Sequence, residues 1–301
     1  MSHTETRVRA ATESTHFLAE GPVWDASRSR LLWVDIYAGL VLIGELQEDG
    51  TIAESGCLRL PGDVTAVASA ESGELLVALN GRVVTVSDDG DVSHVAQVLS
   101  PGRSGRLNDG KVDPQGRFVV GSLSGETDST SEVLALIDGT DVSIIDDDLT
   151  LSNGLGWSTD GSIFYSIDTF SRAIHRRPWS VAGPGGPREV FATVPDGYPD
   201  GMTVDSDDHL WVAIWGGARV DRFSPDGRRV ASIPVPAPHV SSVTFGGPEL
   251  RTLVITTALE GLAEEQRAAF PDAGRLFTID LDIAGVPQRP WAGLTAQERK
   301  S

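Results

Sequence analysis

Six short segments share one pattern at nearly even spacing, and that repeat constrains the fold more than any other feature of the chain. They are EGPVWD, VTAVAS, NDGKVD, NGLGWS, DGMTVD and SSVTFG, which begin at residues 20, 64, 108, 153, 200 and 241, at intervals of 44, 44, 45, 47 and 41. Each is followed by a second apolar run: LLWVD at 31–35, LLVA at 75–78, FVVG at 118–121, IFYS at 163–166, LWVA at 210–213 and LVIT at 253–256. A period in the forties with two apolar strands near its start describes a propeller blade. The expectation is an all-β, six-bladed β-propeller with four-stranded blades. The segments between repeats supply the outer strands, for example 83–86, 173–175, 220–223 and 276–279.

Asp-Gly pairs at 49–50, 89–90, 160–161 and 226–227 read as hairpin turns, because both residue types tolerate positive φ. Residues 7–17 precede the first repeat and are expected to pair with the last blade, closing the ring and removing an exposed sheet edge. LAEEQRAAF at 262–270, ended by Pro271, reads as the one helix, an insertion on the last blade. A chain of 301 residues would by length alone suggest about two domains. The continuous repeat predicts one, 1–301, with the repeats filling about 15–293 and flexible tails.

The first position of each repeat carries the chemistry. Equivalent positions on the innermost strands of a propeller face the central channel at one level. Here they are Glu20, Val64, Asn108, Asn153, Asp200 and Ser241. Asp and Asn are depleted in strands, so nothing in strand formation asks for them. Two converging carboxylates raise one another's pKa unless a cation lies between them. Oxygen donors favour a hard divalent ion, Ca²⁺, Mg²⁺ or Mn²⁺, with Zn²⁺ as a further member of the set. Taken singly, NG at 153–154 and PDG at 199–201 read as turns. Only the shared register makes them a site.

Charge narrows the partners. The formal net charge is -19, from 43 acidic and 24 basic residues, which argues against nucleic acid and against an anionic membrane surface. Cys57 stands alone, so no intrachain disulfide can form. No run reaches the roughly 18 apolar residues of a membrane helix, and the N-terminus carries no apolar signal core. The expected location is the cytoplasm.

The chain resembles the gluconolactonase family, which includes regucalcin. The resemblance rests on AEGPVW at 19–24, RLNDGKVD at 106–113, SNGLGW at 152–157, PDGM at 199–202, WVAIWGG at 211–217, SVTFGG at 242–247 and AGRLF at 273–277. It implies one divalent metal, Ca²⁺ first, with Glu20, Asn153 and Asp200 as direct ligands. It implies Arg106 and Asn108 as substrate-binding residues, with Asn108 near the metal, and Glu126 as a lid-loop carboxylate touching the sugar. Lys111 and Asp113 are expected to be scaffold groups inside their own blade, and Trp24, Trp157 and Trp211 to be core and not ligand-stacking residues.

The activity implied is hydrolysis of a sugar lactone, a small-molecule substrate, with Asp200 as general base. No Ser-His-Asp or Cys-His arrangement is visible that would favour an acyl-enzyme. The segment GSLSGE at 121–126 departs from the family's longer loop, so the lid is expected to differ. The rival readings are an esterase or phosphotriesterase on the same metal, a calcium-binding regulator without turnover, and a scaffold for protein partners.

Overall fold

The computed structural model describes residues 7–124, 126, 129–295 and 298. Six small antiparallel sheets form a ring, the expected six-bladed propeller. Blade 1 is built from Ala19–Asp25, Arg30–Asp35, Leu40–Leu46 and Ile52–Arg59. Blade 2 is built from Val64–Ser69, Leu75–Leu79, Arg82–Val86 and Val92–Gln97. Blade 3 uses Arg106–Val112, Phe118–Leu123, Glu132–Asp138 and Asp141–Leu149. Blade 4 uses Ser152–Trp157, Ile163–Asp168, Ala173–Ser180 and Glu189–Thr193. It adds a two-residue fifth strand, Gly183–Pro184, on the long third one. Blade 5 comprises Tyr198–Val204, Leu210–Trp215, Arg219–Phe223 and Arg229–Pro234.

Blade 6 closes the ring as the sequence anticipates. Val240–Gly246, Thr252–Thr257 and Phe277–Asp280 come from the end of the chain, and Arg9–Ala10 adds the outermost strand. Arg9 pairs with Thr278 and Ala10 with Phe277. The helix is Glu264–Ala269, shorter than the expected 262–270 and with no buried residue. The four Asp-Gly turns all have Gly at positive φ, at Gly50, Gly90, Gly161 and Gly227.

Each joint between neighbouring blades holds its own apolar cluster. Val34, Val77 and Leu79 fill the joint of blades 1 and 2. Phe118, Leu76 and Trp291 fill that of blades 2 and 3. Fully burying one such side chain contributes about 1.5–3 kcal/mol, so stability is spread around the ring. Each inner strand also packs on the inner strands to either side, the last against the first.

A segment near the C-terminus crosses one end of the channel. The carbonyl of Ala284 accepts from Ser206, Val286 donates to Val204, Trp291 donates to Ser69 and Ala292 donates to Gly116. Those partners lie at or just beyond the ends of inner strands in blades 5, 2 and 3, so this strap spans the face opposite the ring of first-position residues. No helix among the described residues is long and apolar enough to cross a membrane.

Candidate functional site

Strand alternation alone would not aim the first-position residues as observed. Every inner strand carries a register shift at that level: between Glu20 and Val23, Val64 and Ala66, Leu107 and Gly110, Asn153 and Leu155, Pro199 and Met202, and Val240 and Ser242. A bulge leaves a residue unpaired and re-aims its side chain. Asn108, Asp200 and Ser241 lie inside the shift, while Glu20, Val64 and Asn153 are paired immediately before it. Repeated six times around a ring, it gathers side chains from distant parts of the sequence.

NG at 153–154 and DG at 200–201 therefore lie inside strands and not in turns. Glycine is required there by crowding. A Cβ at Gly154 would meet the Asp200 carbonyl oxygen at 2.5 Å, and one at Gly201 would meet Ser242 Oγ at 2.0 Å. The inner strands of blades 4, 5 and 6 approach too closely for any side chain at those two positions.

Glu20, Arg106, Asn108, Asn153 and Asp200 are all buried, between 5 and 7% exposed. A directed chain of hydrogen bonds joins blades 3, 4 and 5. Arg106 Nη1 donates to Asn108 Oδ1 at 2.6 Å, and Asn108 Nδ2 donates to Asn153 Oδ1 at 2.9 Å. Asn153 Nδ2 donates to Thr169 Oγ1 at 3.0 Å, and Thr169 donates to the Pro199 carbonyl at 2.8 Å. A guanidinium can only donate, so it fixes the orientation of both amides down the line. Asn153 Oδ1 accepts one bond and keeps a second lone pair.

The carboxylates are poorly compensated. Burial pushes Glu20 well above the ordinary glutamate value, and the charge of Asp109 adds to this, while the Gly21 N–H at 2.8 Å and Arg106 oppose it. Burial likewise pushes Asp200 well up, with the charges of Glu20 and Asp109 adding and Arg106 opposing. Among the described residues, no hydrogen bond reaches the Asp200 carboxylate. Two mutually repelling buried carboxylates beside free carboxamide oxygen lone pairs fit a hard divalent cation. No three His, Cys, Asp or Glu side chains among the described residues form a metal-ligating group. The first-position ring brings two carboxylates, Glu20 and Asp200, together with two carboxamides, Asn108 and Asn153.

Glu126 is exposed, and its contacts among the described residues are local: its N–H donates to Ser124 Oγ at 3.0 Å and its carbonyl accepts from Ser129. Trp24, Trp157 and Trp211 are core, at 7, 8 and 4% exposure. Asp113 is scaffold inside blade 3, paired with Arg117 at 2.6 Å. Lys111 departs from the sequence reading. It reaches across the channel to blades 4 and 5 instead of staying within its own blade.

Three neighbours of the ring escaped the sequence reading. Asp109 follows Asn108 directly, so alternation points it the other way, yet the bulge brings it close enough to act on both Glu20 and Asp200. Thr169 lies outside the repeat register. Tyr37, 46% exposed, lies under the Arg106 guanidinium with 5.6 Å between guanidinium carbon and ring centroid. For Asp109 the residue type is visible in NDGK but its direction is not; for the other two neither is.

Fold and site together define a class: a six-bladed propeller with a buried acid and amide ring in its channel, away from the C-terminal strap. The SMP-30/Gluconolactonase/LRE-like region family model matches residues 18–259. The chain belongs to that family. It is 35% identical over 283 residues to the pentonolactonase XacC of Haloferax volcanii, covering 90% of this chain and 93% of that one. It is 33% identical over 281 residues to a 6-deoxy-6-sulfogluconolactonase of Pseudomonas putida, covering 92% and 95%. The crystal structure of a calcium-binding protein, regucalcin, from Agrobacterium tumefaciens superposes with a TM-score of 0.89 at 25% identity, covering 95% and 97%.

Proposed function

We propose that the protein hydrolyses a sugar lactone to the aldonic acid with one divalent cation, Ca²⁺ first, held by Glu20, Asn153 and Asp200. The observation that carries this reading is the pair of buried, mutually repelling carboxylates on the same ring as two buried carboxamides, in a chain similar to named lactonases and to the crystal structure of a calcium-binding protein. The cation, when bound, supplies Lewis-acid polarisation of the lactone carbonyl and stabilises negative charge on its oxygen.

The side chains do the rest. Asp200 takes the proton of the attacking water, since no donor among the described residues occupies its carboxylate. As the ring C–O bond breaks, that proton passes to the leaving ring oxygen. Arg106 and Asn108, held to each other at 2.6 Å, orient substrate oxygens. Glu126, on the loop after the second strand of blade 3, contacts the sugar. Tyr37 backs Arg106 and restricts where its guanidinium can point.

The test is proton release from five- and six-membered aldonolactones in a pH-stat, before chelation, after it, and after Ca²⁺ is restored. Chelator-sensitive turnover above background supports the reading. Phosphotriester turnover exceeding lactone turnover overturns the substrate class, and Ca²⁺ binding with no turnover on any ester overturns the enzyme.

A further inference from the structure

Two main-chain carbonyls in the channel share one donor. Lys111 Nζ donates to Leu155 O at 3.1 Å and to Met202 O at 3.0 Å. Leu155 lies two residues past Asn153, and Met202 two past Asp200, each on the far side of its strand's bulge. Lys111 itself lies three residues past Asn108, beyond the bulge of its own strand. A single ammonium therefore ties together the inner strands of blades 3, 4 and 5 one level below the ring.

There is a physical reason for a cation here. The channel-facing edge of an inner strand has no further strand to pair with, and buried carbonyls need donors. The strap closes this end of the channel, leaving beside Lys111 a cavity of about 30 Å³ lined by residues that include Asp109, Ser242, Gln288 and Arg289. That is room for a water or two. An ammonium on a four-carbon stem supplies three N–H donors from a compact head, enough to serve two strands and still face Asp109.

We propose that Lys111 is a positioning residue that sets the distance between Asn153 and Asp200, and so the geometry of the metal site. The proposal rests on the metal reading of the ring. It also has a sign of its own. Lys111 is a positive charge near a proposed dication, so electrostatics alone says that removing it tightens metal binding. Positioning says that removing it weakens binding, because the two carbonyls lose their donor and the strands of blades 4 and 5 are no longer held in register.

Calorimetric Ca²⁺ titration of the full chain, wild type against Lys111→Met, distinguishes the two. Circular dichroism confirms the fold, and kcat and KM are measured in parallel. Positioning predicts affinity lower by about tenfold or more, in the range of lost metal-site support, and a fall in kcat larger than any change in KM. Equal or tighter affinity in folded Lys111→Met overturns the proposal while leaving the metal reading intact. A wild type that binds no Ca²⁺, Mg²⁺, Mn²⁺ or Zn²⁺ overturns the metal reading, and the proposal with it. Should Lys111→Met not fold, Lys111→Gln keeps a donor and drops the charge. It is expected to bind more weakly than wild type, and a gain in affinity overturns positioning.

Discussion

Asn108 donates from Nδ2 to Oδ1 of Asn153 at 2.9 Å, a bond between blades 3 and 4 made by residues 45 apart in sequence. Arg106 orients the first amide and Thr169 holds the second from its far side. Asn108 thus decides which atom Asn153 presents to the ring. Asn108→Leu keeps the approximate shape and removes the link. Ca²⁺ affinity, read by calorimetry, is expected to fall about 10-fold or more, as when a metal ligand loses its orienting partner. Affinity within twofold of wild type would show that Asn153 is oriented without help.

Asp200 has two separable roles, and substitutions can divide them. Asp200→Ala removes a ligand and the base together, so proton release from lactones is expected to fall by at least the 10²–10⁴-fold of a lost general base. Asp200→Asn keeps the size and an oxygen donor. In chelator, Asp200→Asn should melt higher than wild type near neutral pH, because the cost of burying an ionisable carboxyl, and its repulsion with Glu20 and Asp109, are gone. Each kcal/mol relieved corresponds to roughly 2–4 °C. A lower melting temperature for Asp200→Asn would mean that the charge is compensated in the metal-free protein.

The same burial, with repulsion added at Glu20 and Asp200, fixes the sign of the pH response. Burial raises Glu20 and Asp200 in the folded state, and Asp109 is pushed up to about 6. Between the ordinary carboxylate range and those raised values, the folded protein holds protons that the unfolded chain has released. The contribution of these groups to stability without metal is greatest at low pH and declines as pH rises through that window. A cation must displace the protons, so its affinity runs the other way. Titrations at pH 5, 6, 7 and 8 are expected to show Ca²⁺ binding strengthening with pH and releasing protons. Affinity flat over that range would indicate that the carboxylates are already ionised without metal.

What the sequence reveals and hides follows from which forces leave a mark on composition. Strand pairs recur every forty-odd residues because each blade buries the same faces, so the ring and its closure by Arg9–Ala10 are readable. Glu20, Asn108, Asn153 and Asp200 are readable together because one register position carries four acid or amide residues where strands disfavour them. The bulges are hidden. They are a backbone event with no residue type of their own, and without them Asp109 is assigned to the wrong side of its strand. Lys111 is hidden for a related reason: its partners are carbonyls of Leu155 and Met202, and a main-chain acceptor has no letter in the sequence.

Asp113 gives the contrast that a channel residue needs. Its side chain is fully buried within blade 3, with Oδ1 accepting from the N–H groups of Gln115 and Arg117 at 2.9 and 2.8 Å. Oδ2 accepts from Nε and Nη2 of Arg117 at 2.9 and 2.6 Å. Arg117 is 9% exposed, so removing the carboxylate leaves a nearly buried guanidinium without its counter-charge, still bonded to the Val181 carbonyl and Gln115 Oε1, and strands two backbone donors. Breaking a buried pair from one side costs about 3–5 kcal/mol. Asp113→Ala is therefore expected to lower the melting temperature by on the order of 10 °C. Asp113 makes no bond to blade 4 or 5, unlike Lys111 two positions earlier, so Ca²⁺ affinity measured well below the melting temperature should stay within about twofold of wild type. A parallel loss of affinity would mean that any weakening of blade 3 reaches the ring, and that its geometry depends on the whole blade more than on the bonds that cross the channel.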